Sequence, residues 1–153
     1  MNGALIFQLD DSYWSMVYDF LRPFYDEGHW SDCGEFSPEN AANYISSMLQ
    51  AGVVFGAFRD MELVGMVSCE VVYEFHVRPE AYITNFYTSQ HVRGQGISRK
   101  LVEYLLEYCE KQDCGNVYAA NTGQFTKRAN ALHDNLFEKY GFEFVSRNLR
   151  KAM

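Results

Sequence analysis

The run Arg93-Gly94-Gln95-Gly96-Ile97-Ser98 joins a strand-like segment to a helix-like one, and this junction limits the fold more than any other feature of the chain. Upstream, Ala81 to Thr88 is rich in β-branched and aromatic residues and contains no breaker. Downstream, Ser98 to Gln112 sets Leu101, Val102, Leu105, Leu106 and Cys109 on one stripe. Arg99, Glu103, Glu107 and Lys111 form the polar face. Gly115 ends that helix, and Asn116 to Ala120 reads as a short buried strand. A strand, a helix and a strand joined by short loops make a crossover connection, which places the two strands parallel.

Two glycines separated by one residue let a backbone turn tightly and approach a ligand without a Cβ in the way. The helix that follows offers unpaired N–H groups and the positive end of its dipole. Together these make an anion site suited to a pyrophosphate, to which Arg93 and Arg99 add charge. A dinucleotide-binding Gly-x-Gly-x-x-Gly would need a third glycine at Arg99, and a phosphate loop ending in Gly-Lys-Ser/Thr is absent. Taken alone, the motif fits a plain strand-to-helix turn as well.

Elsewhere, Asp11 to Arg22 reads as a helix, capped by Asp10 or Asp11 and ended by Pro23, with Trp14, Val17, Tyr18 and Leu21 at helical spacing. Residues 24–36 read as an aromatic and acidic loop. Ser37-Pro38-Glu39-Asn40 starts a second helix, with Ser at N-cap and Pro at N1, running to Gln50 and closed by Gly52. Val53 to Phe58, a turn at Arg59 to Glu62, and Leu63 to Tyr73 read as a hairpin. Lys127 to Lys139 reads as a helix closed by Gly141, and Phe142 to Leu149 as a last strand. The predicted order is α, α, β, β, β, α, β, α, β, a mixed α/β domain around one central sheet.

At 153 residues the chain suits one domain, and 48% hydrophobic with 22% charged residues places it among globular rather than disordered chains. No basic leader with an apolar stretch begins it, and no apolar run approaches the ~20 residues of a membrane span. Cys33, Cys69, Cys109 and Cys114 form no CxxC pair and read as reduced structural thiols, with disulfides or a metal the less favoured alternative. These features lead to the expectation of a cytoplasmic protein with no membrane partner and no metal. The net charge of −7 lies entirely in residues 1–50, where eight acids face the single base Arg22; the rest balances twelve against twelve. That sign argues against a nucleic-acid partner and suits either a cationic partner or a solubilising surface.

The glycine run and its helix resemble the acetyl-CoA signature of the GNAT superfamily of N-acetyltransferases. Downstream, Asn130, Leu136 and Phe137-Glu138-Lys139-Tyr140-Gly141-Phe142 are similar to that family's Asn…Leu-Tyr-Glu-Lys-x-Gly-Phe segment, in the right order and at a fitting distance. The resemblance covers about residues 53–146. It implies a central mixed, mostly antiparallel sheet with one parallel strand pair and helices on both faces. Residues 53–146 would be the acetyl-CoA core and residues 1–52 the helical, acceptor-side region of a single domain over residues 1–153. It further implies that Phe86, Tyr87 and Thr88 pair their backbone with the pantetheine arm. Arg93, Gly94, Gln95, Gly96, Ile97 and Ser98 would hold the pyrophosphate, and Asn130 and Phe137 would lie near the cofactor. The implied reaction is direct transfer in a ternary complex, a neutral amine attacking the thioester, which needs a base for the amine's proton and a donor for the thiolate.

Two positions depart from the family pattern. His91 stands where a Gln or Arg is usual, and Phe137 stands where a tyrosine commonly protonates the thiolate. Tyr140, one turn along, or Tyr87 is then the substitute donor, or the thiolate leaves unaided, since a thiol pKa near ~8.5 makes it a fair leaving group. For the base, Glu70, Glu74, His76 and Glu80 are the candidates near the strands, with Glu70 preferred and Asn85 holding a water. Each also has a plain reading as a solvated surface group.

The implied acceptor wall, residues 18–36, carries the charge excess. Tyr25, Asp26, Glu27 and Trp30, with Asp32, suit a cationic primary amine held by carboxylates and ring faces, on a small molecule or a protein. Folding of those rings into the core is the competing reading. A monomer or a homodimer is expected. The alternative function is a non-catalytic acetyl-CoA-binding or interaction module, which Phe137 favours.

Overall fold

The structure is a computed structural model that describes residues 3–27, 34–119 and 135–145, with 151 and 153. In chain order its elements are β1 (Leu5–Gln8), α1 (Trp14–Glu27), α2 (Pro38–Ala51), β2 (Val53–Arg59), β3 (Glu62–Val72), β4 (Glu80–Thr88), α3 (Ile97–Lys111) and β5 (Asn116–Ala119). The strands form one sheet in sequence order. β1 to β4 pair antiparallel and β4 pairs with β5 in parallel, as the crossover predicts.

α3 covers one face, burying Ile97, Leu101, Leu105 and Cys109 against Val64, Val67, Cys69 and Ala81 of the sheet. α1 and α2 cover the other, where Val17, Ile45, Met48 and Leu49 meet Val54, Phe58, Leu63 and Met66. Each such aliphatic side chain contributes about 1.5–3 kcal/mol when fully buried, so these two stripes outweigh local propensity in fixing the helices. Ser37 caps α2 by accepting from the Asn40 amide at 3.2 Å, and Pro38 follows at its first turn. The turn between β2 and β3 is made by Asp60 and Met61, both at positive φ (51° and 66°), the twist that a two-residue hairpin favours.

Several expectations change. β1 was not anticipated: only Ile6 of its four residues is fully buried, so it lacks a strong pattern. α1 does not stop at Pro23 but carries it inside and runs on to Glu27, because Phe24 is drawn into the core beside Tyr87. Of the helix expected over 127–139, residues 135–139 are helical and the rest lies outside the described residues. Residues 142–145 of the expected last strand are not in a strand, and 146–149 lie outside the described residues. Cys69, Cys109 and Cys114 are free thiols, Cys33 being outside the described residues. Burial pushes the Cys114 thiol up to about 11, so it stays protonated at neutral pH. Among the described residues no group of His, Cys, Asp or Glu is arranged to hold a metal, and no helix is long and apolar enough to cross a membrane.

Candidate active site

At the end of β4 the chain makes a single 3-10 turn, Gln90–Val92, and enters the glycine loop. Gly94 and Gly96 have φ of +79° and +82°. A Cβ at either would meet nothing within 4 Å, so the backbone conformation, not crowding, requires glycine there and leaves the space above the loop open. Gly96 is the N-cap of α3 and supplies no side-chain cap, and the first turn's amides face that space. Gly65 on β3 brings the helix end down onto the sheet. A Cβ there would lie 3.1 Å from side-chain atoms of both Ile97 and Leu101.

Side chains hold the loop from below. Gln95 donates to the His91 carbonyl at 3.2 Å and accepts from the Arg59 guanidinium. His91 Nε2 lies 4.0 Å from Glu62, and Arg93 Nε donates to the Thr88 carbonyl at 3.3 Å. Arg59 and Glu62 were missed in the sequence, because nothing in a hairpin's spacing shows that its turn end lies under a loop more than thirty residues away.

β4 carries the second part of the site. Its register against β3 slips between Ser68 and Cys69, where Asn85 opposes Ser68 but Ile83 opposes Cys69, leaving Thr84 as the extra residue of a bulge. Pairing with β5 runs from Glu80 to Ile83 among the described residues, and Phe86, Tyr87 and Thr88 continue β4 beyond the bulge. A helix start with no side-chain cap, an open double-glycine turn and the bulged end of β4 beside it fit a long thioester whose phosphates sit on the helix and whose arm runs along the strand.

Thr84 and Asn85 both face α2. Thr84 Oγ1 lies 2.7 Å from Ser68 Oγ, and Asn85 Nδ2 lies 2.8 Å from Tyr44 Oη, 3.1 Å from Ser68 Oγ and 3.3 Å from Met48 Sδ. Tyr87 stacks on Phe24, ring centroids 4.7 Å apart. Phe86 turns to the other face and meets Phe137 edge to face at 5.6 Å. Tyr140, one turn past Phe137, donates to Glu103 of α3 at 2.7 Å. Burial and that carboxylate push its phenol up to about 12.

Further down β4, Glu80 is 4% exposed. Its Oε1 accepts from Asn116 at 3.3 Å and lies 3.8 Å from His76, while Oε2 has no hydrogen-bond partner among the described residues. Buried carboxylate oxygens are almost always paired, so an open one is notable. Glu70 is exposed and opposes Tyr82 across the β3–β4 pair. Tyr82 donates to Glu74 at 2.7 Å, and that bond pushes its phenol up to about 12.

On the expected acceptor wall, the chain's own Arg22 occupies the rings. Its guanidinium lies 3.9 Å over Phe36, 5.8 Å from Tyr25, and 3.0 Å from Asp26. Glu27 faces Arg93 of the glycine loop at 3.9 Å. Trp30, Asp32 and Asn130 lie outside the described residues.

Three solved structures share this arrangement over nearly the whole chain. An aminoglycoside acetyltransferase from an uncultured soil metagenomic sample, in complex with sisomicin, has a TM-score of 0.76 at 17% identity, covering 98% of this chain and 96% of its own. The aminoglycoside N-acetyltransferase AAC(6')-Iy, in complex with CoA, has 0.73 at 16%, covering 100% and 96%. A ribosomal-protein-alanine N-acetyltransferase from Brucella melitensis biovar Abortus 2308 has 0.72 at 18%, covering 97% and 99%. At these identities the likeness is one of fold. No curated protein matches the chain. The acetyltransferase (GNAT) family profile matches residues 14–142, beginning in α1 and including both the glycine loop and the segment around Phe137, and the chain therefore belongs to the GNAT family of acetyltransferases, whose acetyl donor is acetyl-CoA.

Proposed function

We propose that this protein transfers acetyl from acetyl-CoA to a primary amine on a cationic acceptor, the two substrates being bound together along the α2-facing side of β4. The observation that carries the reading is the open helix end behind two left-handed glycines, lying next to the bulged end of β4. In this reading the amides of Gly94 to Ser98, with Arg93, hold the pyrophosphate, and the backbone of Phe86 to Thr88 aligns the pantetheine arm. Asn130 and Phe137 border the same arm. Bound there, acetyl-CoA supplies an acetyl thioester, and the products are an amide and coenzyme A.

The chain's own groups then manage the protons. An ammonium must lose one proton before its nitrogen is nucleophilic. Glu80 is the acceptor we assign, since its Oε2 is buried and open, with Glu70 and Glu74 drawing in the cation. Glu80 lies four residues from the bulge, about 13 Å along a strand, so the proton travels through water rather than by direct contact. Asn85, fixed by Tyr44 and Ser68, orients a water near the bulge. Tyr140 is engaged with Glu103, and we assign the thiolate's proton to solvent. Aminoglycoside and ribosomal-protein acceptors of the similar structures, both amines, agree with a cationic amine.

Coenzyme binding without transfer is the second reading, and Phe137 favours it. Amine-dependent thiol release from acetyl-CoA separates the two, and Glu80→Gln tests the relay within the transfer reading. Transfer relayed through this carboxylate predicts a fall in kcat of at least about 100-fold, with the Kd for coenzyme A unchanged. An unchanged kcat would remove Glu80 from the mechanism.

A further inference from the structure

The link from β3 to β4, residues 73–79, is exposed from Tyr73 to Arg78. Its polar side chains are exposed but tied to neighbours: Glu74 accepts from Tyr82, His76 approaches Glu80, and Arg78 donates to the carbonyls of Asp113 and Cys114 at 3.1 and 2.9 Å. The alternating apolar ones stand in solvent, Tyr73 at 70% exposure, Phe75 at 102% and Val77 at 97%. Three exposed apolar side chains at alternate positions, between tethered polar neighbours, form an apolar ridge on this link.

The ridge adjoins the carboxylates assigned to the amine. Glu74 lies within the link and is bonded to Tyr82, Glu80 is reached by His76, and Glu70 opposes Tyr82 across β3 and β4, while Tyr82 and Tyr118, stacked at 5.1 Å, continue an aromatic surface across β4 and β5. Arg78, the one permanent cation of the link, is tied at the other side to Asp113 at 3.2 Å. The surface thus pairs negative charge with apolar cover. A polyhydroxylated, polycationic small molecule would satisfy the charge and leave Phe75 and Val77 wet. A peptide that carries its amine beside apolar side chains satisfies both.

We propose that residues 73–78 form a docking ridge for a polypeptide acceptor, in which apolar residues flanking the modified amine cover Phe75 and Val77. The proposal rests on the acetyl-transfer reading above and narrows its acceptor class from any cationic amine to an amine on a polypeptide.

The test uses the full chain, acetyl-CoA and three amines. One is a peptide with a free N-terminus and one lysine flanked by Leu and Phe. The second is the same peptide flanked by Gly and Ser, and the third is spermidine. Thiol release should show kcat/KM for the apolar-flanked peptide about tenfold or more above the other two. The double variant Phe75→Ser with Val77→Ser should remove that advantage through KM and leave spermidine turnover unchanged. Equal kcat/KM for both peptides, or an equal loss on all three amines, overturns the proposal. So does a concentration-dependent dimer that the double variant dissociates while peptide kinetics stay the same, because the ridge would then serve a second copy of the chain. If no amine releases thiol, the transfer reading fails. Calorimetry of the peptides on coenzyme-loaded protein then decides the ridge separately: apolar-flanked binding that the double variant weakens supports it, and no difference rejects it.

Discussion

At the scale of single residues, a few groups carry more than their surroundings suggest. Gly94 and Gly96 are set by backbone conformation, since both sit at positive φ with open space where a side chain would go. Glu80 is set apart by an Oε2 that is buried and has no partner among the described residues. Phe137 faces Phe86 with a ring and no proton, which moves the question of the thiolate's donor elsewhere. Tyr82 and Tyr140 each donate to a carboxylate and have their phenol pKa pushed up to about 12. A folded pKa above the unfolded value of ~10 means that these bonds favour the fold at all lower pH, and the contribution is lost as pH rises through 12. Alkaline titration followed by ultraviolet difference spectra should therefore show both phenols still protonated near about pH 11. Tyr82→Phe and Tyr140→Phe should each remove one late-ionising group. Two ordinary tyrosine titrations in their place would contradict the bonds to Glu74 and Glu103.

At the scale of elements, the site depends on how closely α3 sits on β3. Gly65 permits that contact, and Gly65→Ala would place a methyl 3.1 Å from Ile97 and Leu101 and 3.3 Å from Thr88. Overpacking of this kind costs about 1–3 kcal/mol. Because the atoms displaced include the first turn of α3, the variant should lose both stability, read from the urea midpoint, and coenzyme affinity, read by calorimetry. A lower midpoint with an unchanged Kd would show that the helix end is not the phosphate site. The helix itself was legible because its apolar stripe and polar face repeat without interruption. The parallel pair followed from the strand, helix and strand order. Three things were not legible. β1 is a short edge strand with one fully buried residue. Continuation of α1 through Pro23 depends on tertiary burial of Phe24, which outweighs the local cost of proline. The bulge at Thr84 is a matter of register between two strands, and no single strand's pattern contains it.

At the scale of the molecule, the sheet separates two kinds of work. In the proposed reading α3 and the glycine loop hold the anion at one end of β4, while α1, α2 and the β3–β4 link border the face along which the amine approaches. The negative charge of the first third was plain from the sequence, but its local purpose was not. Arg22 takes up Asp26, and Arg93 faces Glu27, so two acids expected to greet the acceptor are engaged by the chain's own cations. The carboxylates nearer the bulged strand are Glu70, Glu74 and Glu80, which composition does not single out. The central claim is that the open helix end and the β4 face together transfer acetyl to an amine. The most direct measurement is thiol release from acetyl-CoA across a panel of cationic small amines and lysine- or N-terminus-bearing peptides, with mass spectrometry of the products. Transfer requires amine-dependent release with one acetyl gained per thiol freed. Tight coenzyme binding with no release above the amine-free rate, across the whole panel, would contradict it.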